Sequence, residues 1–286
     1  MPTIRANGVD IAYLAEGAGP PVILLHGATS SAADDWGAQR PAMRPVFRLY
    51  MPDARGHAGT RWDAGDGWTA EMLVDDLAAF VDALELETFH LLGFSMGAHT
   101  ALRYATRHPE RLRTLLVCGI DLQRQPRLNV ARYLMDPARI ERSDARWAAA
   151  LEHRHGPVQG PGAWQRLLPA IAADVAMQPL ITPEELRRVT MPALLVVGDR
   201  DVFVPTDHAV ALHRQLPDGR LCIVPDCDHQ VMASRPGTFN EVASTFYRTT
   251  EAEARARAEG AGGRTGDMRG AGTRAPVPTS MGDHGI

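Results

Sequence analysis

The chain has 286 residues, 45% of them hydrophobic and 22% charged, with a formal net charge of −4. That balance fits one large α/β domain, or two small ones, with a sizeable buried core. It argues against nucleic acid or an anionic membrane as partner, and apolar runs such as Val22–Leu25 and Leu194–Val197 are far too short to span a bilayer. Three cysteines (Cys118, Cys222 and Cys227) make no disulfide framework and no Cys-x-x-Cys spacing, so no metal is expected and the setting reads as reducing and cytoplasmic. No basic-then-apolar segment opens the chain, so no secretory signal is expected.

In chain order, Thr3–Leu14 alternate weakly around Asn7-Gly8, a favoured hairpin turn, and read as an antiparallel ribbon. Val22–Leu25 is a continuous apolar run ending in His26-Gly27, the pattern of a strand buried on both faces. Val46–Met51 is the next strand and ends in the polar loop Asp53–His57. Thr69 caps a helix to about Glu85, with Leu73, Leu77, Phe80, Val81 and Leu84 on one face. Thr88–Leu92 is a strand, Met96–His108 a helix closed by Pro109, and Leu112–Cys118 another buried strand.

From about Asp121 to Val189 strand-like runs vanish. Arg, Ala and Leu at helical spacing, broken by Gly156-Pro157, Gly160-Pro161-Gly162 and Pro169, predict several short inserted helices. The alternation then resumes with strand Ala193–Val197, helix Thr206–Leu216, strand Arg220–Val224 and helix Pro236–Thr249. Residues 260–286 contain no Leu and no aromatic residue, and the whole of 251–286 is expected to be a disordered tail, since it buries too little apolar surface to offset its ordering entropy.

Strands alternating with helices predict a mostly parallel sheet covered on both faces, with sites at the carboxyl ends of the strands. The polar clusters fall there: His26-Gly27, Asp53–His57, Ser95, Asp199/Asp201 and Asp226–His229. Gly93-Phe94-Ser95-Met96-Gly97 follows a strand and opens a helix, which holds a serine hydroxyl above a sharp turn. A serine needs a base, and the base needs a carboxylate to fix its tautomer. Ser95 as nucleophile, then Asp201 or Asp199, then His229 supply these in the order such a turn calls for. The N–H of Met96, and one after His26-Gly27, taken as that of Ala28, are candidates to hold an oxyanion. His26, Asp53, Arg55 and His57 read as braces of that loop; His99 and His108 read as packing or surface groups, and Trp147 and Trp164 more as core of the inserted helices than as pocket lining.

Taken together, these motifs resemble the α/β-hydrolase superfamily over roughly residues 3–249, and within it the esterase, enol-lactonase and carbon–carbon-bond hydrolase group. The resemblance implies an eight-stranded α/β-hydrolase core over 1–120 and 190–250, with 121–189 as a helical lid. It selects Asp201, the second aspartate of Gly198-Asp199-Arg200-Asp201, as the acid; the residues alone leave Asp199 open. It implies a cofactor-independent serine hydrolase acting on a small carboxylic ester or lactone through an acyl-enzyme. The same triad acting on a carbon–carbon bond, or rearranging a biosynthetic intermediate, is the alternative, and a non-catalytic ligand-binding protein on this fold is another. Branches that use aspartate at the position of Ser95 are disfavoured. Two departures stand out: Asp226-Cys227-Asp228 replaces the usual Gly-x-Gly before His229, and Ala58 replaces a usual glycine.

Overall fold

Asn7 and Gly8 both take positive φ, 44° and 77°, the geometry a two-residue hairpin turn needs and these residues tolerate. They join β1 (Thr3–Ala6) antiparallel to β2 (Val9–Glu16). The computed structural model describes residues 1–262, with 258–262 as backbone only. The other strands among them are β3 (Pro21–Leu25), β4 (Arg48–Pro52), β5 (Phe89–Phe94), β6 (Leu112–Cys118), β7 (Ala193–Gly198) and β8 (Gly219–Val224). They form one eight-stranded sheet in the order β1-β2-β4-β3-β5-β6-β7-β8, in which β2 runs against its neighbours and β4, β3, β5, β6, β7 and β8 run parallel.

After β3 come the single turns α1 (Ala32–Asp35) and α2 (Arg40–Met43); α3 (Ala70–Ala83) precedes β5 and α4 (Met96–Arg107) follows it. Between β6 and β7 lie α5 (Arg124–Leu134), α6 (Pro137–Ser143), α7 (Ala145–Gln159), α8 (Ala163–Met177) and α9 (Pro183–Leu186). α10 (Thr206–His213) joins β7 to β8, and α11 (Val231–Ser234) and α12 (Pro236–Gly262) complete the order. The central strands are apolar throughout because both faces are covered. Ile23, Leu91, Leu115 and Leu195 belong to one core layer, with Phe80 and Tyr104 of α3 and α4; Leu24, Leu92, Leu116 and Val196 belong to the other, with Phe239 and Phe246 of α12. Thr69 caps α3 as its sequence suggests, its hydroxyl accepting from the Met72 N–H at 3.2 Å.

Two expectations change. Pro157 and Pro169 do not break helices: α7 and α8 run through them for 15 residues each. The missing N–H costs each helix a hydrogen bond, but Leu151, Leu167, Leu168 and Ile171 are all buried in the inserted core, and that packing outweighs the local penalty. The break falls at Gly160-Pro161-Gly162, which the sequence also marked, with φ of 90° at Gly160 and 68° at Gly162. The last helix also continues past Thr249. Met1–Tyr247 form one compact unit; the second begins at Arg248, and its described part is helical to Gly262. Glu253 and Arg257 pair at i,i+4 there, at 3.6 Å, among helix-favouring alanines. The rest of the expected disordered tail, 263–286, lies outside the described residues. Among the described residues no helix is long and apolar enough to cross a membrane.

Candidate active site

The site begins with a backbone conformation. Ser95 sits between β5 and α4 with φ 51° and ψ −112°, a strained geometry costing on the order of 1–3 kcal/mol. Close packing around it enforces the turn. A Cβ at Gly93 would lie 2.3 Å from the Gly97 carbonyl oxygen, and one at Gly97 would lie 2.3 Å from that of Leu25. The Ser95 N–H donates to Cys118 O at 2.9 Å and the Gly97 N–H to His26 O at 3.1 Å, which ties the turn to the ends of β6 and β3.

His229 follows β8 and is buried. Its Nε2 lies 3.1 Å from Ser95 Oγ and its Nδ1 2.8 Å from Asp201 Oδ2. The Asp201 side chain is fully buried, and its Oδ1 accepts from the N–H groups of Phe203 and Val204 at 2.8 and 3.0 Å. These bonds aim the other oxygen at the imidazole. Asp199 is turned elsewhere: it accepts from the Cys227 N–H at 3.2 Å. The extra carboxylates before His229 are also engaged away from it, Asp226 with Arg200 at 3.1 Å and Asp228 with the Ser234 hydroxyl at 2.7 Å.

The loop after β3 carries Ala28. Asp35, buried in α1, accepts from the Gly27 N–H at 2.8 Å and from the Ser30 hydroxyl at 2.6 Å; burial raises its pKa. His57 places Nε2 2.8 Å from Ala28 O, and Arg154 of α7 donates to Thr29 O at 2.6 Å. His26 accepts from the Ala54 N–H at 2.9 Å and lies 2.8 Å from Gly27 O. Burial pushes His26 and His57 down to about 4, so both are neutral braces near pH 7. Asp53 accepts from Ala32 and Gly59, and Arg55 makes a two-pronged pair with Asp76 at 2.9 and 2.6 Å. Ala58 has φ 38°, so the position does take the conformation that glycine adopts freely. Its N–H donates to His155 Nδ1 of α7 at 3.1 Å.

Ala28, Ser95, Val130, Phe203 and His229 are shared by two adjoining hollows. One, of about 620 Å³, is lined largely by Met96, Met135, Ile171 and Val175, with His99, Asp121 and Arg127 among its polar residues. The other, of about 1080 Å³, also meets Trp147. Trp164 instead lies in the core of the inserted helices. His99 therefore faces the cleft, which its place on α4 did not announce, and burial holds its pKa well below the usual histidine range. Asp121 is buried in the cleft wall 2.7 Å from His208 Nδ1. Gly119 was missed in the sequence. Its φ is 65°, and a Cβ there would lie 2.8 Å from His229 Cε1. Its only sequence signal is its position directly after a buried strand.

A family model described as "Alpha/beta hydrolase family" matches residues 22–242. The chain belongs to this family. Among α/β-hydrolase relatives, it is 26% identical over 261 residues to a 2-hydroxy-6-oxo-2,4-heptadienoate hydrolase of Pseudomonas putida, covering 85% of this chain and 94% of that one. It is 26% identical over 249 residues to a pimeloyl-[acyl-carrier protein] methyl ester esterase of Aeromonas hydrophila, covering 80% and 96%. In fold it is similar to the crystal structure of an enol-lactonase from Burkholderia xenovorans, with a TM-score of 0.68, 20% identity, and coverage of 86% and 100%. The names of these proteins point to different substrates: a heptadienoate, a methyl ester and an enol-lactone.

Proposed function

We propose that this protein is a cofactor-independent serine hydrolase that opens a carboxylic ester or lactone through an acyl-enzyme. The carrying observation is the chain of contacts Ser95–His229–Asp201, at 3.1 and 2.8 Å. Ser95 Oγ attacks the carbonyl carbon as its proton passes to His229 Nε2. Asp201 holds the imidazole with Nδ1 protonated and stabilises the imidazolium that forms. The oxyanion is held by the N–H groups of Ala28 and Met96, the latter at the first turn of α4, where no intrahelical acceptor exists. Collapse releases the alcohol oxygen, which takes the proton from His229. Water then attacks the acyl-enzyme, His229 takes its proton, and the acid leaves as Ser95 regains its hydrogen. The inserted helices α5–α9 act as a lid that sets the substrate, since Val130, Ile171 and Val175 come from them and Met135 directly follows α5.

A second reading keeps the triad and changes the bond, cleaving carbon–carbon in a diketone; the Pseudomonas putida relative favours it. Matched panels of esters, lactones and diketones separate the two. Ser95→Ala is expected to lose fluorophosphonate labelling and to hydrolyse a small aryl ester about 10³-fold or more slowly than wild type. Asp201→Asn is expected to lower kcat about 10³- to 10⁴-fold through the wrong tautomer, and Asp199→Asn to stay within about threefold. Turnover at the wild-type rate by Ser95→Ala would sink the proposal. Failure of the folded wild type to label would favour a non-catalytic binding protein.

A further inference from the structure

Arg127 is placed where an arginine is hard to account for by folding alone. It lies in α5 with 6% of its surface exposed, in the wall of the hollow that holds Ser95 and His229. Its neighbours Arg103 and Arg124 are both engaged: Arg103 pairs with Glu71 at 3.1 Å, and Arg124 donates to carbonyl oxygens of Val175, Ala176 and Gln178. Among the described residues no carboxylate, carbonyl or hydroxyl accepts from the Arg127 guanidinium. Two carboxylates are near enough to act on it through space, Asp121 and Asp174. Asp121 is committed to His208 and to the Gln123 N–H, and Asp174 accepts from the Ala70 N–H. Burial and the two neighbouring cations depress the pKa of Arg127 to about 10, which still leaves it charged at neutral pH.

A buried, charged and unpaired guanidinium is costly by several kcal/mol unless a partner reaches it. The fold holds it against a cleft that opens on the reactive serine. We propose that Arg127 is the recognition point for a carboxylate carried by the substrate, so that the molecule cleaved at Ser95 is an ester or lactone bearing a separate carboxylate. This rests on the serine-hydrolase reading above. The planar fork of arginine suits a carboxylate, which it can hold by two parallel N–H···O bonds. The apolar remainder of the wall, including Met96 and Ile171, would take the hydrocarbon between the two ends.

The test compares an aryl hemiester of glutaric acid, which keeps one free carboxylate, with the same aryl ester ending in a carboxamide. Wild type is expected to favour the hemiester in kcat/KM by about 10- to 100-fold, the range of a charge-assisted contact. Arg127→Met should collapse that ratio towards one, and Arg127→Lys should restore part of it. An equal kcat/KM for the two esters in wild type, or an unchanged ratio in Arg127→Met, would overturn the inference. A second measurement needs no variant: glutaramate, with one carboxylate, should slow fluorophosphonate labelling of wild-type Ser95 at concentrations where glutaramide does not. Equal protection by both would count against Arg127 as an anion site. Absence of any labelling at Ser95 would instead strike the serine-hydrolase reading itself.

Discussion

At the scale of single residues, the site depends as much on what is absent as on what is present. Gly119 leaves the space that the His229 ring occupies, since a Cβ there would come within 2.8 Å of Cε1 and 3.1 Å of Nδ1. Gly119→Ala is therefore expected to tilt the ring and lower kcat about 100-fold, the scale of a misplacement near one ångström. The midpoint of thermal unfolding should move by only a few degrees; a kcat equal to wild type would show that the ring is not confined there. Ser95 and His229, and Asp199 or Asp201, could be picked out in the sequence because each sits in a short motif at a strand end; between the two aspartates the residues alone did not choose, and the resemblance pointed to Asp201. Gly119 and Arg127 could not, because the groups they face come from distant parts of the chain, and neither could Asp35, although its partners are only 8 and 5 residues away. Asp35 faces Gly27 and Ser30 across a loop, and no local pattern encodes that meeting. Ala58 lies between these cases: its departure from the family habit was visible, but that its φ is positive became known only from the backbone.

At the scale of elements, α7 does most to attach the inserted helices to the loops beneath them. Gln159 donates to Thr60 O at 2.6 Å and Ala58 O at 3.3 Å, and accepts from the Trp62 N–H at 3.2 Å. Beside it, His155 accepts from Ala58. Gln159→Ala is expected to destabilise the protein by about 1–3 kcal/mol. Urea unfolding would show this as a lower midpoint with an unchanged slope, with faster limited proteolysis in the loop 58–62. An unchanged midpoint and cleavage pattern would show that α7 is attached by its apolar face alone. The strands were readable because burial on both faces leaves an unbroken apolar run. The inserted helices were readable only as helical. Their lengths were underestimated because Pro157 and Pro169 are breakers on local grounds, and tertiary packing decides otherwise at both positions.

At the scale of the whole molecule, buried histidines link folding to acidity. Burial depresses His26 and His57 to about 4, His90 to about 3 and His155 to about 2, and holds His99 well below its ordinary range. All of them are neutral in the folded chain at pH 6, where an unfolded chain, with histidines near 6.5, already binds protons. Their contribution is thus fully present above about pH 6.5 and is lost as pH falls from there through the folded values, each fully titrating group costing about 1.4 kcal/mol per pH unit. The raised carboxyls of Asp35, Asp53 and Asp174 act in the opposite sense nearer the carboxylate range. Calorimetry should show a melting temperature that is level from pH 8 to 7 and falls steeply by pH 5, with protons taken up on unfolding; a flat profile to pH 5 would contradict this. The position of α5–α9 has a different kind of consequence. Leu25 pairs with Gly93 and Phe94 with Cys118 in fixed register, so the turns bearing Ala28, Ser95 and Gly119 cannot be re-spaced one at a time. Arg127, Val130, Met135, Ile171 and Val175 all come from one uninterrupted stretch between β6 and β7. On the function proposed above, most of the residues that would choose a substrate lie in a stretch separate from those that would cleave it. A descendant of this chain could then change its diet largely by rewriting one contiguous passage while the cutting edge is copied unaltered.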